Sequence, residues 1–186
     1  MKMLLLSLQL ALVLVITNAR AEDSPIALYI AVPTHNGERR IDNIEHIFQD
    51  NTAHFDVVVA NTSDKPQRIW REWCSWGYFG LTFEFTDENS KKWVAEKEGQ
   101  IWTVNAPDWW TLEPHESLVI EVYFADSKIW RGFPSPDNGS QTVTMQAILK
   151  FKPDHTASQN NIWTGRVVSK PEKVIFSHLK VGAEGA

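Results

Sequence analysis

Side chains able to do chemistry are present in this chain, but their spacing does not assemble a reaction centre. Ser177-His178-Leu179-Lys180 matches the Ser-x-x-Lys pattern, in which a lysine activates a serine nucleophile. It lies close to the C-terminus without the large domain such acyl enzymes need, and reads as a chance match. His115-Glu116 begins like a zinc-protease helix, but no second histidine follows and the context is the entry to a strand. There is no G-x-S-x-G elbow, no phosphate-binding glycine loop and no C-x-x-C pair. The six histidines (His35, His46, His54, His115, His155 and His178) are scattered. A metal set would need His46 and His54 to meet beside Glu45 or Asp50, and nothing in the spacing brings them together. Asp42, Glu45 and Asp50, or Asp87, Glu88 and Asn89, lack the loop spacing of a calcium site. The expectation is a non-catalytic chain with no metal site and no cofactor.

Aromatic side chains are the unusual feature, with nine Trp and nine Phe. Trp70, Trp73 and Trp76 bracket Cys74; Trp102, Trp109 and Trp110 form a second group; Trp130 lies beside Arg131 and Phe133. Exposed rings stack on sugar faces or anchor protein interfaces, where Trp and Arg are hot-spot residues. Trp70, Trp76, Trp93 and Trp163 are expected to fill a core instead. Trp109 and Trp110 are adjacent, so in an extended segment they point to opposite sides. Trp109, Trp110, Trp130, Arg131 and Phe133 are therefore the expected contact surface for a ligand or partner. Cys74 has no second cysteine to pair with and is a free thiol; its Trp neighbours predict burial.

These groups must be positioned by strands. Ile26–Val32, Phe55–Val59, Phe79–Phe85, Leu118–Phe124 and Val143–Phe151 alternate apolar with polar or small residues, the mark of half-buried antiparallel strands. Shorter strands are expected at Lys92–Ala95, Gln100–Val104, Trp163–Ser169 and Lys173–Ser177. Clusters of Asn, Asp, Ser, Gly and Pro, such as Asn61–Pro66 and Pro134–Ser140, separate them. Ile41, Ile44, Ile47 and Phe48 instead recur at helical spacing, which predicts a short helix or a turn of 3₁₀ over residues 38–49. Asn61-Thr62-Ser63 and Asn138-Gly139-Ser140 fit the N-glycosylation pattern, which carries meaning only in a eukaryotic host.

Lys2, the apolar run Met3–Ile16 and Ala19-Arg20-Ala21 read as a secretory signal over residues 1–21. The run falls short of the roughly 20 residues that cross a bilayer, so no membrane anchor is expected after cleavage. Residues 22–180 are expected to form one sandwich and 181–186 a flexible tail. The location implied is periplasmic or secreted. The chain carries a net charge of −5, and losing Lys2 and Arg20 makes it more acidic. With no basic cluster to offset this, nucleic acid is excluded as a partner.

Phe55–Pro66, Leu81–Asp87, Leu112–Val122 and Trp163–Pro171 together resemble immunoglobulin-like domains of bacterial exported proteins. Leu112-Glu113-Pro114-His115-Glu116 is similar to the L-x-P-G-E turn of such modules, with His115 in the place of glycine. The first two segments are also similar to the BsuPI type of proteinase inhibitor. The resemblance implies an all-β, antiparallel immunoglobulin-like sandwich of seven to nine strands. Its implied role is an exported binding or interaction module for a protein or glycan partner. The alternatives are a proteinase inhibitor presenting Arg131–Pro136, or a carbohydrate-binding accessory module.

Overall fold

In the computed structural model, the described residues are 24–32, 35–36, 39–40, 45–48, 55–124, 129–134 and 139–177. Expectations for residues 1–21 and 181–186, for Asp42 and Asp50, for His54 and His178, and for Asn138 lie outside them. In chain order the elements are β1 (Ile26–Ala31), β2 (His35–Asn36), β3 (Arg39–Arg40), β4 (Glu45–Phe48), β5 (Phe55–Asn61) and β6 (Gln67–Trp70). Then come α1 (Ser75–Tyr78), β7 (Leu81–Thr86), β8 (Lys92–Lys97), β9 (Trp109–Leu112), β10 (Ser117–Val122) and β11 (Trp130–Arg131). The last are β12 (Ser140–Phe151), α2 (His155–Gln159), β13 (Gly165–Val168) and β14 (Glu172–Ser177).

Alternation built the sheets. Phe55, Val57 and Val59 of β5 and Leu81, Phe83 and Phe85 of β7 are all buried, while the residues between them are only half-buried. One layer is the antiparallel sheet β1-β5-β10; the other runs β11-β8-β7-β12-β14-β4, with β13 also on β12. β2 pairs with β3 and β6 with β9. The protein is thus an all-β, mainly antiparallel sandwich.

The layers meet through phenylalanines. Phe124 lies 5.1 Å from Phe55, 5.2 Å from Phe83 and 4.7 Å from Phe133, each edge to face. Such pairs contribute ~0.5–1.5 kcal/mol each beyond area burial, which suits a core without a disulfide. Trp130 belongs to this core, and half-buried Phe133 packs against it. Trp130 is only 5% exposed, 5.4 Å from Phe83 and 5.5 Å from Phe124, and Phe133 stacks on Phe176. Trp130 is thus not a surface contact, contrary to the sequence expectation, whereas Phe133 is half-buried against the core.

The helix expected at 38–49 also gives way. Arg39–Arg40 and Glu45–Phe48 are strands, and β4 lies parallel to β14 with Glu45 opposite Val174 and Phe48 opposite Ser177. For Ile47 and Phe48 pairing along β14 decides for the strand; Ile41 and Ile44, which carry the rest of the helical spacing, lie outside the described residues. The strand expected at Gln100–Val104 is loop.

The decisive local feature is a corner. β5 pairs with β10, and β6 pairs with β9, so one two-stranded ribbon bends between Asn61 and Gln67 on one strand and between Leu112 and Ser117 on the other. Asn61 is 1% exposed and sits inside this bend. Its Nδ2 donates to the carbonyls of Lys65 (2.8 Å), Leu112 (3.0 Å) and Glu113 (3.0 Å). Its Oδ1 accepts from the N–H and hydroxyl of Ser63. With Nδ2 buried and fully used, Asn61 is not a glycan acceptor in this fold. Across the bend, Glu116 N–H donates to the Glu113 carbonyl (3.0 Å) and His115 has φ 65. That is a turn with Pro114 second and a left-handed residue third, the position where glycine is favoured.

Two outcomes follow from the corner. Asn61→Asp keeps the shape but cannot donate to three carbonyls, and urea unfolding is expected to show a loss of about 3 kcal/mol, at ~1–3 kcal/mol per orphaned buried group. A loss below about 0.5 kcal/mol, the level of an ordinary surface change, would contradict this. His115→Gly relieves the left-handed strain and is expected to raise stability by up to ~1 kcal/mol, whereas His115→Val lowers it by a similar amount.

Candidate functional site

The β6–β9 ribbon places its tryptophans on two faces. Trp109 opposes Trp70 in register, and Trp110 opposes Ile69. On one face Trp70, Trp76 and Trp109 cluster at 5.9 and 6.2 Å, and the Arg68 guanidinium lies 5.4 Å from the Trp109 ring. On the other face Trp110 carries the Arg71 guanidinium at 3.8 Å, and Trp73, packed edge-on to Trp110 with ring centroids 5.9 Å apart, lies 4.9 Å from the same guanidinium. A cation within reach of two indole rings is attracted by both ring quadrupoles. Trp109 and Trp110 are both half-buried; the outward ring is Trp73, 58% exposed.

Asp108 organises this face. Its Oδ2 accepts from Trp73 Nε1 (2.8 Å) and from Arg71 (3.2 Å), and its Oδ1 accepts from the Trp109 N–H (2.9 Å). Arg71 N–H donates to the Asp108 carbonyl. Arg71 Nε is buried without a hydrogen-bond partner, so stacking and the Asp108 pair hold the guanidinium. The chain turns into α1 just beyond Trp73. Gly77 is required there, since a Cβ would stand 2.1 Å from the Arg71 carbonyl oxygen.

Cys74 is buried, and its Sγ points at the carbonyls of Arg71 (3.2 Å) and Asp108 (3.6 Å). It is a packed, hydrogen-bonded thiol, inaccessible to another chain. Lys97, unmarked in the sequence analysis, is 7% exposed. Its Nζ bonds Glu72 at 2.8 Å and lies 4.9 Å from the Tyr78 ring and 5.5 Å from the Trp130 ring. The signal for it was a lysine in register with Ala95, on the inward face of β8.

Between the Trp110 face and β10 lies a cleft of about 290 Å³. Ile69, Trp73 and Trp110 form one wall, and Leu118 and Ile120 of β10 form the other. Leu81, Leu149 and Phe151 close the bottom, and Glu72, Val119 and Glu121 complete the lining. Glu121 accepts a hydrogen bond from the Tyr123 hydroxyl (3.1 Å), and that bond raises the phenol pKa.

The expected contact set therefore divides. Trp110 lines the cleft, Trp109 backs it from the other face, Trp130 is core, and Phe133 is half-buried against that core. Arg131 is exposed but committed to Glu96 (2.7 Å) and Glu98 (3.3 Å). Of the expected inhibitor loop Arg131–Pro136, Ser135 and Pro136 lie outside the described residues, and Arg131–Pro134 does not project. Gly132, at φ 83, lies so close to β8 that a Cβ would be 2.1 Å from the Val94 carbonyl oxygen, and Pro134 is buried. Among the described residues no group of three His, Cys, Asp or Glu side chains is placed to hold a metal ion. Compared with protein-family models, curated proteins and solved structures, the chain matches none.

Proposed function

We propose that this chain is a non-catalytic binding module that acts outside the cytoplasm, and that its ligand seats in the cleft between Trp110 and β10. One observation carries the reading: a large indole, Trp73, stands 58% exposed at an apolar cleft. An exposed ring held rigidly by Asp108 and Arg71 loses little entropy when a ligand covers it, and such preorganised aromatics dominate binding energies. The secretory character of residues 1–21 supports a place in the periplasm or outside the cell. The inhibitor reading has less support, because Arg131–Pro134, the described part of the Arg131–Pro136 segment it relied on, is packed against β8 and the core.

The immobilised chain, incubated with an envelope extract, is expected to retain a ligand that Trp73→Ala loses by about tenfold or more, as a hot-spot truncation does. Trp73 is exposed, so the variant should keep the parent's circular dichroism. Equal recovery by both proteins would remove the cleft from the account, and retention of glycans alone would favour the carbohydrate-binding alternative.

A further inference from the structure

The cleft runs along a strand edge that is unpaired among the described residues. β10 bonds β5 on one side, with Leu118 opposite Val59 and Ile120 opposite Val57. The Asn61 N–H donates to the Glu116 carbonyl at 2.9 Å, which fixes the parity of that ladder. Bonded pairs alternate in an antiparallel ladder, so Leu118, Ile120 and Val122 spend their main-chain groups on β5. Ser117, Val119 and Glu121 turn theirs outward, and among the described residues no strand pairs with that edge.

The edge has none of the usual protection. Ser117-Leu118-Val119-Ile120-Glu121-Val122 has no proline, no lysine and no bulge, and Val119 is exposed. Donors and acceptors recurring every second residue, about 7 Å apart, match an extended polypeptide and not a sugar. Side chains of an added strand would alternate between the apolar cleft and the outer face, where Glu121 lies. Among the described residues no Lys, Arg or His forms an ion pair with Glu121.

We infer that the cleft's ligand is an extended peptide segment of another protein. It adds as a strand to β10, with apolar side chains in the cleft alternating with Lys or Arg beside Glu121. This rests on the proposed binding role and names the class of its ligand.

The test uses the full chain and a displayed library of short random peptides, selected on the parent protein and counter-selected on Trp73→Ala. Enriched sequences should alternate apolar with basic residues. N-methylation along a selected peptide should weaken binding by about tenfold at every second position and little between them, because only alternate amides face the edge. Val119→Pro removes an outward donor without touching the β5 ladder and should weaken binding to the same degree. Glu121→Gln should remove the preference for basic residues. N-methylation leaves the protein untouched, so it decides the matter even if Val119→Pro fails to fold. Failure to enrich any peptide, while the envelope ligand still depends on Trp73, would overturn strand addition and leave the binding role standing. An N-methylation profile without the two-residue period would also overturn it. So would a concentration-dependent dimer that Val119→Pro abolishes, which would give the edge to a second copy of this chain.

Discussion

Where a two-stranded ribbon bends from one part of a sandwich to another, the carbonyls inside the bend point at one another and lose their ladder partners. In this protein the carboxamide of Asn61 stands in that gap, taking the carbonyls of Lys65, Leu112 and Glu113 on one nitrogen. A buried polar group without a partner is costly, and this one is fully partnered. Everything that shapes the cleft hangs from this bend. On one side of it β6 and β9 hold Ile69 and Trp110; on the other, β10 holds Leu118 and Ile120. A change in the bend angle would open or close the cleft between them.

The second layer of organisation is electrostatic and sits next to the bend. Arg71 is gripped by two indoles and Asp108, and Lys97 by Glu72 and two aromatic rings. Charges this close to a core bring a desolvation cost that can exceed the attraction gained. Their value here is positional. Asp108 fixes Trp73 from its indole nitrogen, and Glu72, tied to buried Lys97, is held in the cleft lining. Cys74 completes the packing by donating to two carbonyls, where a larger side chain would not fit at 1% exposure.

The strands with one wet face were legible in the sequence, because a two-residue period survives when only one side is buried. β5, β7, β10 and β12 are of this kind. β6 was hidden for the opposite reason: Ile69 and Trp70, neighbours on opposite faces, are both buried, so no alternation remains. Trp130 looked like a loop residue because proline and glycine follow it, yet its two-residue pairing with β8 turns it inward. Asn61 looked like an ordinary turn residue, and its importance comes from contacts about fifty residues away in sequence that no local pattern encodes. Cys74 burial and the placing of Trp109 and Trp110 on opposite faces were readable from neighbours alone, whereas the half-burial of that pair was not. The role of Trp73 was not, since it depends on Asp108 being brought alongside by the ribbon.

The central claim is that the bend leaves β10 with one bonded edge and one that no described strand covers, beside the tryptophan cleft. Native-state amide hydrogen exchange, resolved residue by residue, tests it most directly. The account predicts slow exchange for Leu118, Ile120 and Val122, whose amides are bonded to β5, and exchange faster by about a hundredfold or more for Val119 and Glu121, whose amides face outward. Equal protection along all five residues would contradict it, because the edge would then already be covered.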